Sequence, residues 1–422
     1  MTRGEGSLYN GACRSPSYRY IQPRLDEERN VNGAELTIVA DENIPALDAL
    51  FGGLGRIVRR PGRALCRDDL VAADLLLVRS VTRVDAALLA GTPVRFVGTA
   101  TIGTDHVDQA WLAGQGIGFS SAPGSNADSV VEYVLSALLH LAHERGFDLF
   151  GQVVGIVGVG NVGRRLQRRL DGMGIEVLLC DPPRAEREGE AGFVDLATLL
   201  RQADIVSLHT PLVRSAPWPT LHLLHADTLA LLKRDAILLN TGRGPVIDNR
   251  ALLAFMRQRS ELTLVLDVWE HEPEIDPCLA ALCAIATPHI AGYALDGKLR
   301  GSWMLYRALC QFLGREATLE LEQILPPAQV EALLLSPAAD LLTPVRLVYD
   351  PFRDDRALRA TLSLPPGRRG EAFDRLRRHY PERREFATLP VSAPGALGRR
   401  LAALGFATEG RAKQLQPTTD EP

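Results

Sequence analysis

The sequence predicts an α/β protein with two parallel, helix-covered sheets, the second a complete doubly wound domain, followed by a smaller region of different texture. Three observations predict it. From Leu36 onward, short apolar runs alternate with helix-like segments, the pattern of parallel strands buried on both faces. A glycine-rich turn joins one such run to an amphipathic helix near residue 160. After about residue 318 the alternation stops. At 422 residues the chain is also too long for one ordinary core.

In order, LTIVA, DLLLVRS, VRFVGTAT and GIGFSSA read as the strands of the first sheet. Residues 128–145, DSVVEYVLSALLHLAHER, have apolar positions at helical spacing behind an acidic start and read as a helix. VVGIVGVG, EVLLCD, DIVSLHT, AILLNTG, LTLVLDVW and AIATPH supply six further strands with helices between most of them, enough for a doubly wound domain. DGKLRGSWMLYRALCQFLG reads as one more helix, and ILPPAQ as a linker. From Asp340 to Arg411 there are 14 arginines against 9 acids, a solvated or interface surface, with phosphate contact as the alternative.

Composition narrows the classes. With 46% hydrophobic and 23% charged residues the chain is that of a globular protein, and a net charge of −4 gives no nucleic-acid footprint. No apolar run approaches 18 residues, so no membrane span is expected. Six cysteines at 13, 66, 180, 278, 283 and 310 form no CxxC pair and read as reduced thiols in a cytoplasmic protein. Residues 1–35 are polar, lack the apolar centre of a signal peptide, and read as a disordered extension or an early start.

The glycine turn is Gly158-x-Gly160-x-x-Gly163, with Asn161 and Val162 between the last two. A strand before and a helix after make it a dinucleotide loop: Gly158 for the tight turn, Gly160 for approach of the pyrophosphate, Gly163 for helix–sheet packing. The phosphates then meet the free amides of a helix N-terminus. At the end of the next strand, 18 residues after Gly163, Asp181 can accept both ribose hydroxyls of NAD and would repel the 2′-phosphate of NADP. Arg184 and Arg187 nearby could soften that preference.

Hydride chemistry on a hydroxy acid also needs an acid/base, a cation for the carboxylate and an anion beside the base. Arg243 in NTGRG, Glu272 in DVWEHEP and His289 in TPHIAGY leave three successive strands and match these needs. His271 reads as a loop residue. His222 and His225 lack the partners of a zinc set, so no metal is expected.

The ordered motifs GVGNVG, HTP, NTGRG, DVWEHEP and TPHIAGY resemble the D-isomer-specific 2-hydroxyacid dehydrogenases. DENIP, LLLVRSVTRV, FVGTATIGTDHVD, LLCDPPRA and LVYDPFRDDRALR resemble one branch of that family, from about Glu35 to about Phe406. That branch oxidises a phosphorylated 2-hydroxy acid on the route to pyridoxal 5′-phosphate. The resemblance implies a Rossmann-type doubly wound NAD domain (129–292), a flavodoxin-like substrate domain (36–128 and 293–318) and a small α+β C-terminal dimerisation domain (325–411). It implies a homodimer, with substrate held in a cleft between domains. Arg243, Glu272 and His289 correspond to the family's catalytic residues. Asp181, Thr210, Asp267 and Gly292 correspond to NAD contacts, and Ser80, Thr101 and Tyr293 to substrate contacts. Rival expectations are another 2-hydroxy acid, such as 3-phosphoglycerate or glycerate, or an NAD-sensing corepressor.

Overall fold

The computed structural model describes residues 35–408. The expectation for residues 1–35 therefore falls almost wholly outside the described residues, as does the end of the 325–411 segment. Contacts divide the chain into two compact units, one ending at Ser121 and regaining Leu305–Thr318, the other comprising Ala122–Met304 and everything from Leu319.

The first unit holds a five-stranded parallel sheet: β1 Thr37–Asp41, β2 Arg56–Arg60, β3 Leu75–Val78, β4 Phe96–Thr99 and β5 Gly118–Ser120. Its order, β2-β1-β3-β4-β5, is the flavodoxin-like one. β3 and β4 are buried along their whole length, which explains their uninterrupted apolar sequence. β2 has the sequence RIVRR and was not among the expected strands. It is an edge strand with two exposed arginines, so neither an apolar run nor a clean alternation marks it.

The second unit holds a six-stranded parallel sheet: β6 Val153–Val157, β7 Glu176–Cys180, β8 Ile205–Leu208, β9 Ile237–Asn240, β10 Thr263–Leu266 and β11 Ile285–Ala286. The order β11-β10-β9-β8-β6-β7 reverses direction between β6 and β8, the place where open α/β sheets form a ligand crevice. The helix Ala127–Arg145 is buried without a break from Val130 to Leu141, so its sequence is apolar nearly all round.

The C-terminal region, expected as a small domain at 325–411, groups by its contacts with the second unit. Phe386, Leu401, Leu404 and Phe406 enter the same buried cluster as Val134, Leu138, Leu166 and Leu170. A three-stranded sheet, β12 Leu333–Leu334, β13 Pro390–Ser392 and β14 Ala407–Thr408, accompanies them. The returning helix spans Leu295–Phe312, and only its part from Leu305 belongs to the first unit, where residue 293 was the expected boundary. Its first turns stay with the second unit because Asp296 pairs with Arg384 at 3.0 Å and Arg300 with Glu385 at 2.7 Å. Among the described residues no helix is long and apolar enough to cross a membrane.

Candidate active site

All strands of the second sheet run parallel, so their C-terminal ends share one edge, and the expected residues of that unit cluster there. Gly158 follows β6 with φ 88°, and an added Cβ would lie 2.9 Å from the His209 carbonyl carbon and the Thr210 nitrogen. Gly163 sits in the first turn of the helix Asn161–Met173, where a Cβ would come within 2.1 Å of the Gly158 oxygen. A Cβ on Gly160 would meet nothing within 4 Å, and Asn161 and Val162 begin the helix, whose first amides have no intrahelical partners.

Asp181 caps the helix Pro182–Glu188. It accepts from the Val159 amide at 2.8 Å and the Arg184 amide at 3.0 Å, which ties the end of β7 to the glycine loop. The Arg184 guanidinium is occupied by Glu188 at 2.8 Å and the Val159 carbonyl, and Arg187 by the Pro183 carbonyl at 2.9 Å. Among the described residues the buried Thr210 hydroxyl oxygen has no hydrogen-bond partner, as is expected of a group awaiting a ligand. Its neighbour His209 bridges Ser207 and Thr241, and burial pushes its pKa down to about 3, so it is a neutral packing histidine. An open glycine loop, a capped acid and an orphaned hydroxyl fit a dinucleotide.

His289 follows β11 and lies in the left-handed region, with φ 57°. Its Nδ1 is 2.7 Å from Glu272 Oε2, while Glu272 Oε1 accepts from the Trp269 amide at 2.9 Å. The His289 side chain is 34% exposed, which leaves its ring reachable. Burial pushes the Glu272 carboxyl toward protonation, but the nearby His289 charge and hydrogen bond, the Trp269 amide and Arg377 outweigh it and hold it below the ordinary carboxylate range. Arg243 stands three residues past β9 on a loop that Asn240 pins from both sides: Oδ1 accepts from Gly242 and Nδ2 donates to the Arg243 carbonyl.

Asp267 is 1% exposed, and its two oxygens accept from Thr287, Ile290 and Ala291 at 2.6–2.9 Å. Any cofactor contact comes in addition to this role of shaping the His289 loop. Gly292 lies so close to Asn126 that a Cβ would be 2.1 Å from its Nδ2. Tyr293 packs edge-on against Tyr380, with ring centroids 5.6 Å apart. In the first unit Ser80 is exposed just past β3, and the Thr101 hydroxyl bonds Thr99 and the Gly103 carbonyl. His222, set aside as a metal ligand, pairs with Glu270 at 2.5 Å. One residue that sequence reasoning did not single out also reaches the site: Arg377, whose charge acts on Glu272 and Tyr293.

An imidazole backed by a carboxylate, beside a glycine crevice shaped for a dinucleotide, can exchange a hydroxyl proton while a nicotinamide exchanges hydride. That is the chemistry of the nicotinamide-linked hydroxy acid dehydrogenases. Residues 137–291 match the NAD-binding domain of the D-isomer-specific 2-hydroxyacid dehydrogenases, and residues 324–405 match a domain of unknown function. The erythronate-4-phosphate dehydrogenase of Marinobacter nauticus is 52% identical, the alignment covering 88% of this chain and 99% of that protein. Its counterpart from Pseudomonas aeruginosa is 51% identical with the same coverage. Among solved structures, a protein from Thermus thermophilus superposes with a TM-score of 0.57 at 28% identity, covering 67% of this chain and 99% of that one. A D-lactate dehydrogenase from Aquifex aeolicus, complexed with NAD and lactic acid, does so with a TM-score of 0.54 at 23% identity, covering 66% and 95%, a likeness of fold alone. The chain belongs to the D-isomer-specific 2-hydroxyacid dehydrogenase family and, within it, to the erythronate-4-phosphate dehydrogenases.

Proposed function

We propose that the chain oxidises 4-phospho-D-erythronate to 3-hydroxy-2-oxo-4-phosphooxybutanoate with NAD, a step toward pyridoxal 5′-phosphate. The observation that carries the reading is the 2.7 Å pair of His289 and Glu272 at the sheet edge that also bears the glycine loop. His289 takes the C2 hydroxyl proton on the ring nitrogen not held by Glu272. Glu272, kept ionised, stabilises the imidazolium and fixes the ring's orientation. Arg243 holds the substrate carboxylate through its planar fork and stabilises charge as the carbonyl forms. Bound NAD supplies the hydride acceptor, with Asp181 and Thr210 on its adenosine side and the Gly158–Gly163 loop at its phosphates. Ser80, Thr101 and Tyr293 are assigned to the substrate.

On the same reading the chain is a cytoplasmic homodimer. Val330, Leu334, Leu347 and Leu364 expose apolar surface in the C-terminal region, which a second copy would cover. Sedimentation velocity tests this directly, with a single monomer-sized boundary as the contrary result. The activity is tested by NADH absorbance in single-turnover experiments with 4-phospho-D-erythronate, 3-phosphoglycerate and glycerate, with and without a 2-oxo acid acceptor. The strongest signal is expected with 4-phospho-D-erythronate. Silence with all three from folded, NAD-binding protein would refute the assignment.

A further inference from the structure

The helix Pro366–Arg378, within the segment matched as a domain of unknown function, is seated on the loop that follows Glu272. At Gly370 the fit is so close that a Cβ would lie 2.2 Å from Glu274 Oε1 and 3.3 Å from Pro273 Cγ. Arg377 is seven residues, about two turns, further along and so on the same face of the helix. That face brings its guanidinium 5.8 Å from the centre of the Tyr293 ring. Lys298 approaches the same ring, its Nζ 4.7 Å from the centroid, and lies 5.9 Å from that of Tyr380. Arg377 hydrogen-bonds Tyr293, while its Nε is buried with no acceptor among the described residues. The anions facing Arg377 are Glu272, already paired with His289, and Asp374, 4.0 Å from Nη1.

We propose that Lys298 and Arg377, both set against Tyr293, form the subsite for the substrate's phosphate group, and that the C-terminal segment takes part in catalysis by supplying one of the two cations. This rests on the assignment of His289, Glu272 and Arg243 above. With Arg243 on the carboxylate, a phosphate ester carrying up to two charges needs a second positive site, and a lysine point charge beside an arginine fork suits it. The Arg377 Nε, which has no partner among the described residues, gains an acceptor when a phosphate oxygen arrives.

The test compares kcat/KM for 4-phospho-D-erythronate and for unphosphorylated D-erythronate in the full-length protein and its Arg377→Met, Lys298→Met and Arg377→Lys variants. Each methionine variant is expected to lose about 10- to 100-fold with the phosphate ester, mainly in KM, the usual worth of a charged hydrogen bond. Each should lose much less with D-erythronate, Lys298→Met least of all because Arg377 also acts on the Glu272 carboxyl, and Arg377→Lys should recover part of the loss. Equal losses with both substrates would make Arg377 a positioning residue for Glu272 and overturn the subsite, as would unchanged kinetics in both methionine variants. A wild type that oxidises neither compound refutes the proposed function instead. Lys298 lies on a different helix, so its variant decides the matter even if Arg377→Met fails to fold.

Discussion

The left-handed backbone of His289 costs a non-glycine residue on the order of 1 kcal/mol, and the surrounding hydrogen bonds show how it is held. The His289 amide donates to the Asp267 carbonyl at 2.7 Å, and the next two amides donate to the Asp267 carboxylate. Beneath them Tyr133 donates to Thr287, which donates to Asp267, a buried chain that fixes the turn. The imidazole is thereby placed for one job, and His289→Ala should lower kcat by about 10²–10⁴-fold while leaving the fold intact. Glu272→Gln should lower kcat less steeply and keep NAD affinity. Steady-state kinetics with fluorescence titration of NADH checks both, and turnover within a few-fold of wild type would remove His289 from its role. Asp181→Ala should weaken NAD use by about 10-fold and narrow the gap to NADP, since only the carboxylate repels the 2′-phosphate. Paired kcat/KM values for the two cofactors decide it. The gathering of Arg243, Glu272 and His289 at one sheet edge was legible because each follows a parallel strand and parallel strands share an edge. The cradle around Asp267 was not, because its partners are backbone amides, which sequence does not distinguish. Arg377 was lost among the 14 arginines of its region, since only tertiary packing sets it apart.

At the scale of elements, the strands buried on both sides are the plainest in sequence, and the edge strands β5, β7 and β11 were also expected because each carries a short apolar stretch. The buried strands β3, β4, β6, β8, β9 and β10 stand out as apolar runs, and the helix Ala127–Arg145 begins one residue before its expected start. β2 and the two- and three-residue strands β12–β14 escaped because an edge strand tolerates arginine and so short a strand has no period to read. The turn from β6 into its helix is legible for a third reason: steric exclusion leaves glycine as the fitting residue. Gly163→Ala would place a Cβ 2.1 Å from the Gly158 oxygen, so either the helix or the loop must move. The expected cost is about 1–3 kcal/mol, or roughly 2–10 °C in Tm for a unit of this size, together with a raised KM for NAD. Calorimetry and an NAD titration measure the two effects. An unchanged Tm with unchanged NAD affinity would mean that the loop is not held as tightly as its contacts imply.

On the scale of the whole molecule, the C-terminal region is welded to the cofactor-binding unit by charge as well as by apolar packing. Arg383 donates to the Ser129 and Ala291 carbonyls, Glu385 accepts from Ser129 and pairs with Arg300, and Arg384 pairs with Asp296. Such a weld is invisible in sequence, where a proline-containing linker and a change of texture suggest an independent domain. It also encloses Glu132, which is 1% exposed and whose carboxyl faces the Phe386 amide. Burial pushes its pKa up to about 8, helped by Glu385 and opposed by Arg169, 3.6 Å away, and Arg383. In the unfolded chain the same carboxyl releases its proton near pH 4.3. Between about pH 4.3 and 8, the folded state therefore binds more protons at this position than the unfolded state, so the contribution to stability falls as pH rises through that window. Below the window it is fully present; above pH 8 the folded protein carries a buried charge that its arginine neighbours only partly offset. Glu132→Gln keeps the shape and removes the titration, so its Tm should decline less than that of wild type between pH 5 and 9 and exceed it at the alkaline end. Differential scanning calorimetry across that range gives the answer, and parallel Tm profiles would show that Arg169 and Arg383 keep Glu132 ionised throughout.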